Sequence, residues 1–236
     1  MSTAPILRPN SKAEELQRIA QEYNRKLIAE FPTENFAAGG DVFLGKYYCH
    51  SGRIYLGLNP GGDYYTDFKT DLLKDNFWDM SNSKERFFDN CGFFLRAASG
   101  LHDWITPATV AFCSPWRTRN GSELHRLNGR TAGKLFQYSG DLARILIEDH
   151  KTAFPEATLT LIVAGRASLY LLCSPSFLKR DWRNYQTFHN GATGTYQWAK
   201  VEWNNILLYQ VPHFARANSR RLLAECAKWL ADDLGL

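Results

Sequence analysis

The 236-residue chain lacks any apolar run long enough to form a membrane-spanning helix, which excludes a helical membrane protein. Its N-terminus has no apolar core of the signal-peptide kind, so the cytoplasm is the expected location. The five cysteines, at 49, 91, 113, 173 and 226, form no Cys-x-x-Cys pair and no His-Cys cluster of metal-ligand spacing. That spacing argues against a structural zinc or an iron–sulfur cluster, and it predicts reduced, mostly buried thiols. Neither Gly-x-Gly-x-x-Gly nor a Walker-type Gly-Lys-Ser/Thr is present, so the two commonest phosphate-cradling fingerprints are missing. The chain also contains no internal repeat, low-complexity tract or linker, which favours a single domain over residues 1–236.

What is present is an ordinary globular composition, 44% hydrophobic and 22% charged, enough for one sizeable core. A net charge of +4 suits a polyanionic partner without requiring one. Ser11 to Glu30 carries Leu16, Ile19, Ala20, Tyr23, Leu27 and Ile28 at helical spacing behind a possible Ser11 cap, and is read as a helix within an N-terminal extension over residues 1–45. Apolar runs at Arg53 to Leu58, Thr109 to Ser114, Thr158 to Ala164 and Asn205 to Val211 read as four strands. Helices are expected at Arg86 to Leu101, Ser139 to His150, from Arg166 to Cys173, and from Arg220 to Leu236. Strands alternating with helices imply an α/β fold: a mostly parallel four-stranded sheet covered on both faces.

Two of the strands run into polar corners. Arg53 to Leu58 continues into Asn59-Pro60-Gly61-Gly62, and Asn205 to Val211 into Pro212-His213-Phe214-Ala215-Arg216-Ala217-Asn218. Strand ends on the carboxyl edge of a parallel sheet are where ligands bind, so Asn59 and His213 are expected to face one crevice. Between the first strand and the next helix, Asp63 to Glu85 is a long polar and aromatic stretch containing Tyr64, Tyr65, Phe68, Phe77 and Trp78. Loops of that size in compact domains are often functional.

These two corners, in this order, resemble the motifs of the uracil-DNA glycosylase superfamily. Gly57-Leu58-Asn59-Pro60-Gly61 matches the first motif, Gly-x-Asn-Pro-Gly, of its single-strand-selective and mismatch-specific branches. His213 and Asn218 match parts of the second. Tyr48-Cys49-His50-Ser51-Gly52 and the strand with its glycine in Thr158 to Ser168 add to the likeness, which spans residues from about Tyr47 to the C-terminus. The resemblance implies a monofunctional, metal-free and cofactor-free N-glycosylase of base excision repair, expected to be a monomer, acting on DNA that contains a modified base. It assigns Asn59 to positioning the attacking water and His213 to donating a hydrogen bond to the departing base. Gly57, Leu58, Pro60 and Gly61 would line the base pocket. Tyr65, Phe68 and Phe77 would supply rings against a flipped base, with Phe112 and Ser114 at the pocket floor.

The chain departs from that pattern in two places. The Asn that reads uracil at the end of the family's second strand is missing from Ala111-Phe112-Cys113-Ser114-Pro115, so either weak discrimination between uracil and cytosine or a different preferred base, such as a deaminated purine, is expected. His-Pro-Ser of the second motif becomes His213-Phe214-Ala215, leaving Phe214, Arg216, Asn218 and Arg220, with Arg117 and Arg119 of the Trp116 to Arg130 loop, as the candidate DNA contacts. Phe214 or Arg216 would fill the gap left by the flipped nucleotide. Two other classes also fit the residues: a DNA-binding relative without activity, and an unrelated α/β enzyme acting on a small nucleotide.

Overall fold

A computed structural model describes residues 11–32, 51–57, 86–112, 129–165, 186–189, 197–203, 205–217 and 219–236. The strands are β1 (Arg53–Gly57), β2 (Thr109–Phe112), β3 (Leu159–Ala164), β4 (Gln186–His189), β5 (Gln197–Trp203) and β6 (Ile206–Val211). The helices are α1 (Ser11–Glu30), α2 (Arg86–Arg96), α3 (Leu101–Ile105), α4 (Gly129–Ala153) and α5 (Arg220–Leu234), with a 3-10 turn at Phe214–Arg216.

The strands form one mixed sheet in the order β2-β1-β3-β6-β5-β4. The first four run parallel and are the four runs that continuous apolar sequence marked out. The expected four-stranded sheet is corrected to six, because β5 pairs antiparallel with β6 and β4 antiparallel with β5. β5 escapes an apolar-run criterion because it alternates: Ala199 is buried while Glu202 is exposed. That period-2 pattern suits an antiparallel strand whose Glu202 end reaches solvent while Trp198, on the same face, is buried beside Trp229 of α5.

Successive side chains of a strand point to opposite faces, and the core is divided accordingly. Ile54 and Leu56 of β1 pack with Leu161 and Val163 of β3, Leu208 of β6, Leu16, Ala20 and Leu27 of α1, and Leu142 and Leu146 of α4. Tyr55, Ile162, Tyr209 and Val211 pack on the other face against Phe94 and Leu95 of α2, Leu101 of α3, and Leu223, Cys226 and Leu230 of α5. The molecule is thus a helix–sheet–helix sandwich. α1 is one of its layers: Leu16, Ala20 and Leu27 are wholly buried.

Two helix boundaries differ from expectation. The single helix over Arg86 to Leu101 ends at Arg96, and Gly100 adopts φ 76°, a left-handed conformation that interrupts the helix before α3. α4 begins ten residues before Ser139. Its buried stripe of Thr131, Leu135, Ser139, Leu142, Leu146 and His150 includes three polar residues, which dilute the hydrophobic period. On the far side of the sheet, the Tyr209 hydroxyl donates to Asp233, and Lys200 reaches the same carboxylate at 2.8 Å, tying β5 and β6 to α5. Cys91 and Cys226 are buried free thiols whose ionisation burial pushes up, so neither is a nucleophile at neutral pH. The expected helix from Arg166 to Cys173 lies outside the described residues.

His150 is fully buried; it donates from Nδ1 to the Leu146 carbonyl and accepts at Nε2 from the Thr109 hydroxyl, both at 3.0 Å. Burial pushes its pKa down to about 4. Because the folded value lies below that of the unfolded chain, the stabilisation is complete above the unfolded pKa of about 6.5 and is lost as the pH falls from there toward 4. Between pH 7.5 and pH 5 the loss should be about 2 kcal/mol. Urea unfolding at the two pH values, compared with His150→Gln, measures it: the variant should show a flatter pH dependence, and an identical slope would contradict a neutral buried His150.

Candidate functional site

The four parallel strands finish along one edge of the sheet. Phe112 of β2 lies beside Gly57 of β1, Leu56 beside Val163 of β3, and Ala164 beside Val211 of β6. From β1 the chain proceeds to β2 on one side, whereas from β3 it proceeds to β4, β5 and β6, all on the other. The connections therefore diverge between β1 and β3, the topological switch point at which open α/β sheets place their ligands. β6 lies two strands from β1, about 10 Å away at the usual strand spacing.

Gly165, immediately beyond β3, stands at this switch point with φ +83°, and a Cβ there would lie 3.0 Å from the Cβ of His213. The left-handed φ favours glycine here, and a side chain would also require the β6 corner to give way by a few tenths of an ångström. Gly165→Ala should therefore cost about 1–2 kcal/mol in backbone strain and displace His213 by a few tenths of an ångström. Urea unfolding of the variant checks the first effect; unchanged stability would mean that the corner is free to relax.

His213 is half-buried, with Pro212 and Phe214 buried on either side. The His213 ring meets Phe87 of α2 edge-on, with centroids 5.9 Å apart at 65°. The following turn closes through Ala217 N–H donating to the His213 carbonyl at 3.1 Å. α2 holds that turn from outside. The Asn90 amide donates to the carbonyls of Phe214 at 2.8 Å and Ala217 at 3.0 Å, and Arg86 donates to Ala217 at 3.1 Å. Beyond the turn, the Ser219 hydroxyl caps α5 by accepting from Leu222 N–H at 3.4 Å.

Phe214 requires a correction. As a DNA contact it would have to project from the surface, but it is 1% exposed and packs among Tyr55, Phe87 and Phe94 at centroid distances of 6.4, 5.7 and 5.2 Å. Its ring belongs to the core and cannot fill a gap in a base stack. Phe214 instead anchors the turn that carries His213.

Arg220 is exposed at the start of α5, where it bonds Asp89 of α2 at 2.8 Å and lies over the Phe93 ring at 5.1 Å. Arg221 bonds Glu225 at 2.8 Å, and Arg130 bonds Glu30 at 3.2 Å. The charges of these arginines are thus partly answered within the chain. Gly57 ends β1, Phe112 ends β2 and Arg216 closes the 3-10 turn. Leu58, Asn59, Pro60, Gly61, Tyr65, Phe68, Phe77, Ser114, Arg117, Arg119 and Asn218 lie outside the described residues.

Sequence reasoning missed Phe87 and Asn90. A signal was available: Asn90 sits in the apolar stripe of α2 with Phe87, Cys91 and Phe94, and a polar residue in such a stripe implies a buried hydrogen-bond partner. Among the described residues, no group of three or more His, Cys, Asp or Glu side chains could hold a metal ion, and no helix is long and apolar enough to cross a membrane.

Fold and site together define an open-sheet α/β protein with a histidine placed beside its switch point. Comparison of the chain with family models, curated proteins and solved structures returns no match.

Proposed function

We propose that the chain is a monofunctional DNA glycosylase that flips a deaminated or damaged base into the crevice at the ends of β1, β3 and β6 and hydrolyses its N-glycosidic bond. The observation that carries the reading is the approach of Gly165 to His213 at the ends of β3 and β6, with β3 the neighbour of β1, the strand that runs into the Gly57 to Gly61 motif resembling that of uracil-DNA glycosylases. In the reaction, water adds to the sugar C1′ while the C–N bond breaks and its electron pair leaves with the base; the proton that the water releases passes to solvent, and the departed base anion takes one up in exchange. Asn59 holds the water by hydrogen bonds. Its amide has no accessible pKa and takes no proton. His213 donates an N–H to the oxygen of the departing base, where negative charge develops. Neither role needs a metal or cofactor, and a monomer acting on DNA in the cytoplasm satisfies the scheme.

Base choice follows from the residues beyond β2. Cys113 and Ser114 stand where uracil readers carry Asn, and a hydroxyl with backbone groups matches the uracil edge poorly. A pocket relying on shape and stacking discriminates far less than one built to hydrogen-bond a single edge. Oligonucleotides each carrying one modified base, incubated with the protein and then cleaved by alkali at abasic sites, test the proposal. Excision of a base such as a deaminated purine, with weak preference for uracil over cytosine, is expected. Efficient uracil excision with cytosine untouched would overturn the specificity, and no abasic site on any substrate would overturn the activity and favour a DNA-binding relative.

A further inference from the structure

We propose that Asn90 of α2 is a positioning residue for His213, an inference that rests on the reading of His213 as the donor to the departing base. Asn90 is 6% exposed, and both of its amide donor contacts go to the turn after His213, at 2.8 Å to the Phe214 carbonyl and 3.0 Å to that of Ala217. The Ala217 N–H in turn bonds the His213 carbonyl at 3.1 Å. Two hydrogen bonds therefore connect the Asn90 side chain to the His213 backbone. A residue without donors at position 90 would leave the Phe214 carbonyl with only the 3.4 Å contact from Ala217 N–H and the Ala217 carbonyl with only Arg86, a loosening of the turn where buried carbonyls are normally well paired.

The same helix also fixes the ring. Phe87, three residues before Asn90 and on the same face of α2, meets the imidazole edge-on, and Gly165 bounds its Cβ from the sheet side. The turn is a single 3-10 turn, and α2 supplies it with the side-chain hydrogen bonds of Asn90 and Arg86. A catalytic donor acts through its direction as much as its presence, since misplacement by about 1 Å can cost about a hundredfold in rate. Asn90 thus acts through His213, without contact to the reacting atoms.

Asn90→Ser keeps one hydroxyl donor in less volume, and Asn90→Asp keeps the shape while replacing the donors with an acceptor at neutral pH. The test uses the full chain and two readouts. The first is the imidazole proton resonances of His213, assigned with His213→Gln, which sense the Phe87 ring. The second is single-turnover excision alongside DNA affinity. In both variants the His213 resonances should move away from their wild-type positions, and excision should fall about tenfold with Kd unchanged. If Asn90→Asp does not fold, Asn90→Ser alone decides. Unmoved His213 resonances, or moved resonances with undiminished excision, would overturn the role. If the wild-type chain excises no base, the glycosylase reading fails by itself, while the resonances still show whether Asn90 sets His213.

Discussion

In an Asn59→Ala variant, single-turnover base excision should fall by about two orders of magnitude or more while DNA affinity stays close to that of the wild type. The reason is where the amide acts. A group that orients the attacking water contributes little to holding the nucleic acid and contributes most when the C–N bond is breaking, so its loss appears in the rate and not in the affinity. A fall in binding equal to the fall in rate would instead make Asn59 a substrate contact. Unchanged excision would reduce it to a turn residue at the end of β1.

The largest stability effect is expected at Phe214. Its ring is enclosed by Tyr55, Phe87 and Phe94, and the residue is almost wholly buried. Phe214→Ala should cost about 3–5 kcal/mol, the usual range for emptying a buried aromatic site. Urea unfolding would show this as a lower midpoint with a similar slope. A surface wedge that merely filled a gap in DNA would unfold like the wild type when truncated, so a cost near zero would restore that role. Because the same turn carries His213, excision should fall as well.

The contrast between Phe214 and His213 shows what the sequence could and could not yield. Both follow an apolar strand, and a strand end can be recognised from its neighbours alone. Which of two consecutive residues turns inward depends on α2, a helix more than a hundred residues away in the chain, whose Phe87 and Phe94 receive the Phe214 ring. No local pattern encodes that choice. The parallel strands were legible for the opposite reason. β3 is buried at all six positions, which demands continuous apolar sequence, whereas β4 and β5, toward the sheet edge, carry polar residues that mask them. Asn90 is intermediate: its polarity within the stripe of α2 announces a partner, but only the fold identifies that partner as the His213 turn. Gly165 was visible as a glycine after a strand, and its purpose emerged once β6 was seen to lie beside β3.

The most direct measurement is a crystal structure of the protein bound to an oligonucleotide carrying the excised base on a sugar that resists hydrolysis. The base should be flipped into the crevice at the ends of β1, β3 and β6, with the His213 imidazole and the Asn59 amide each about 3 Å, or one water, from the reacting atoms. A base left in its stack, or Asn59 and His213 on opposite faces of the domain or more than about 15 Å apart on the scale of a ligand pocket, would contradict a shared catalytic site.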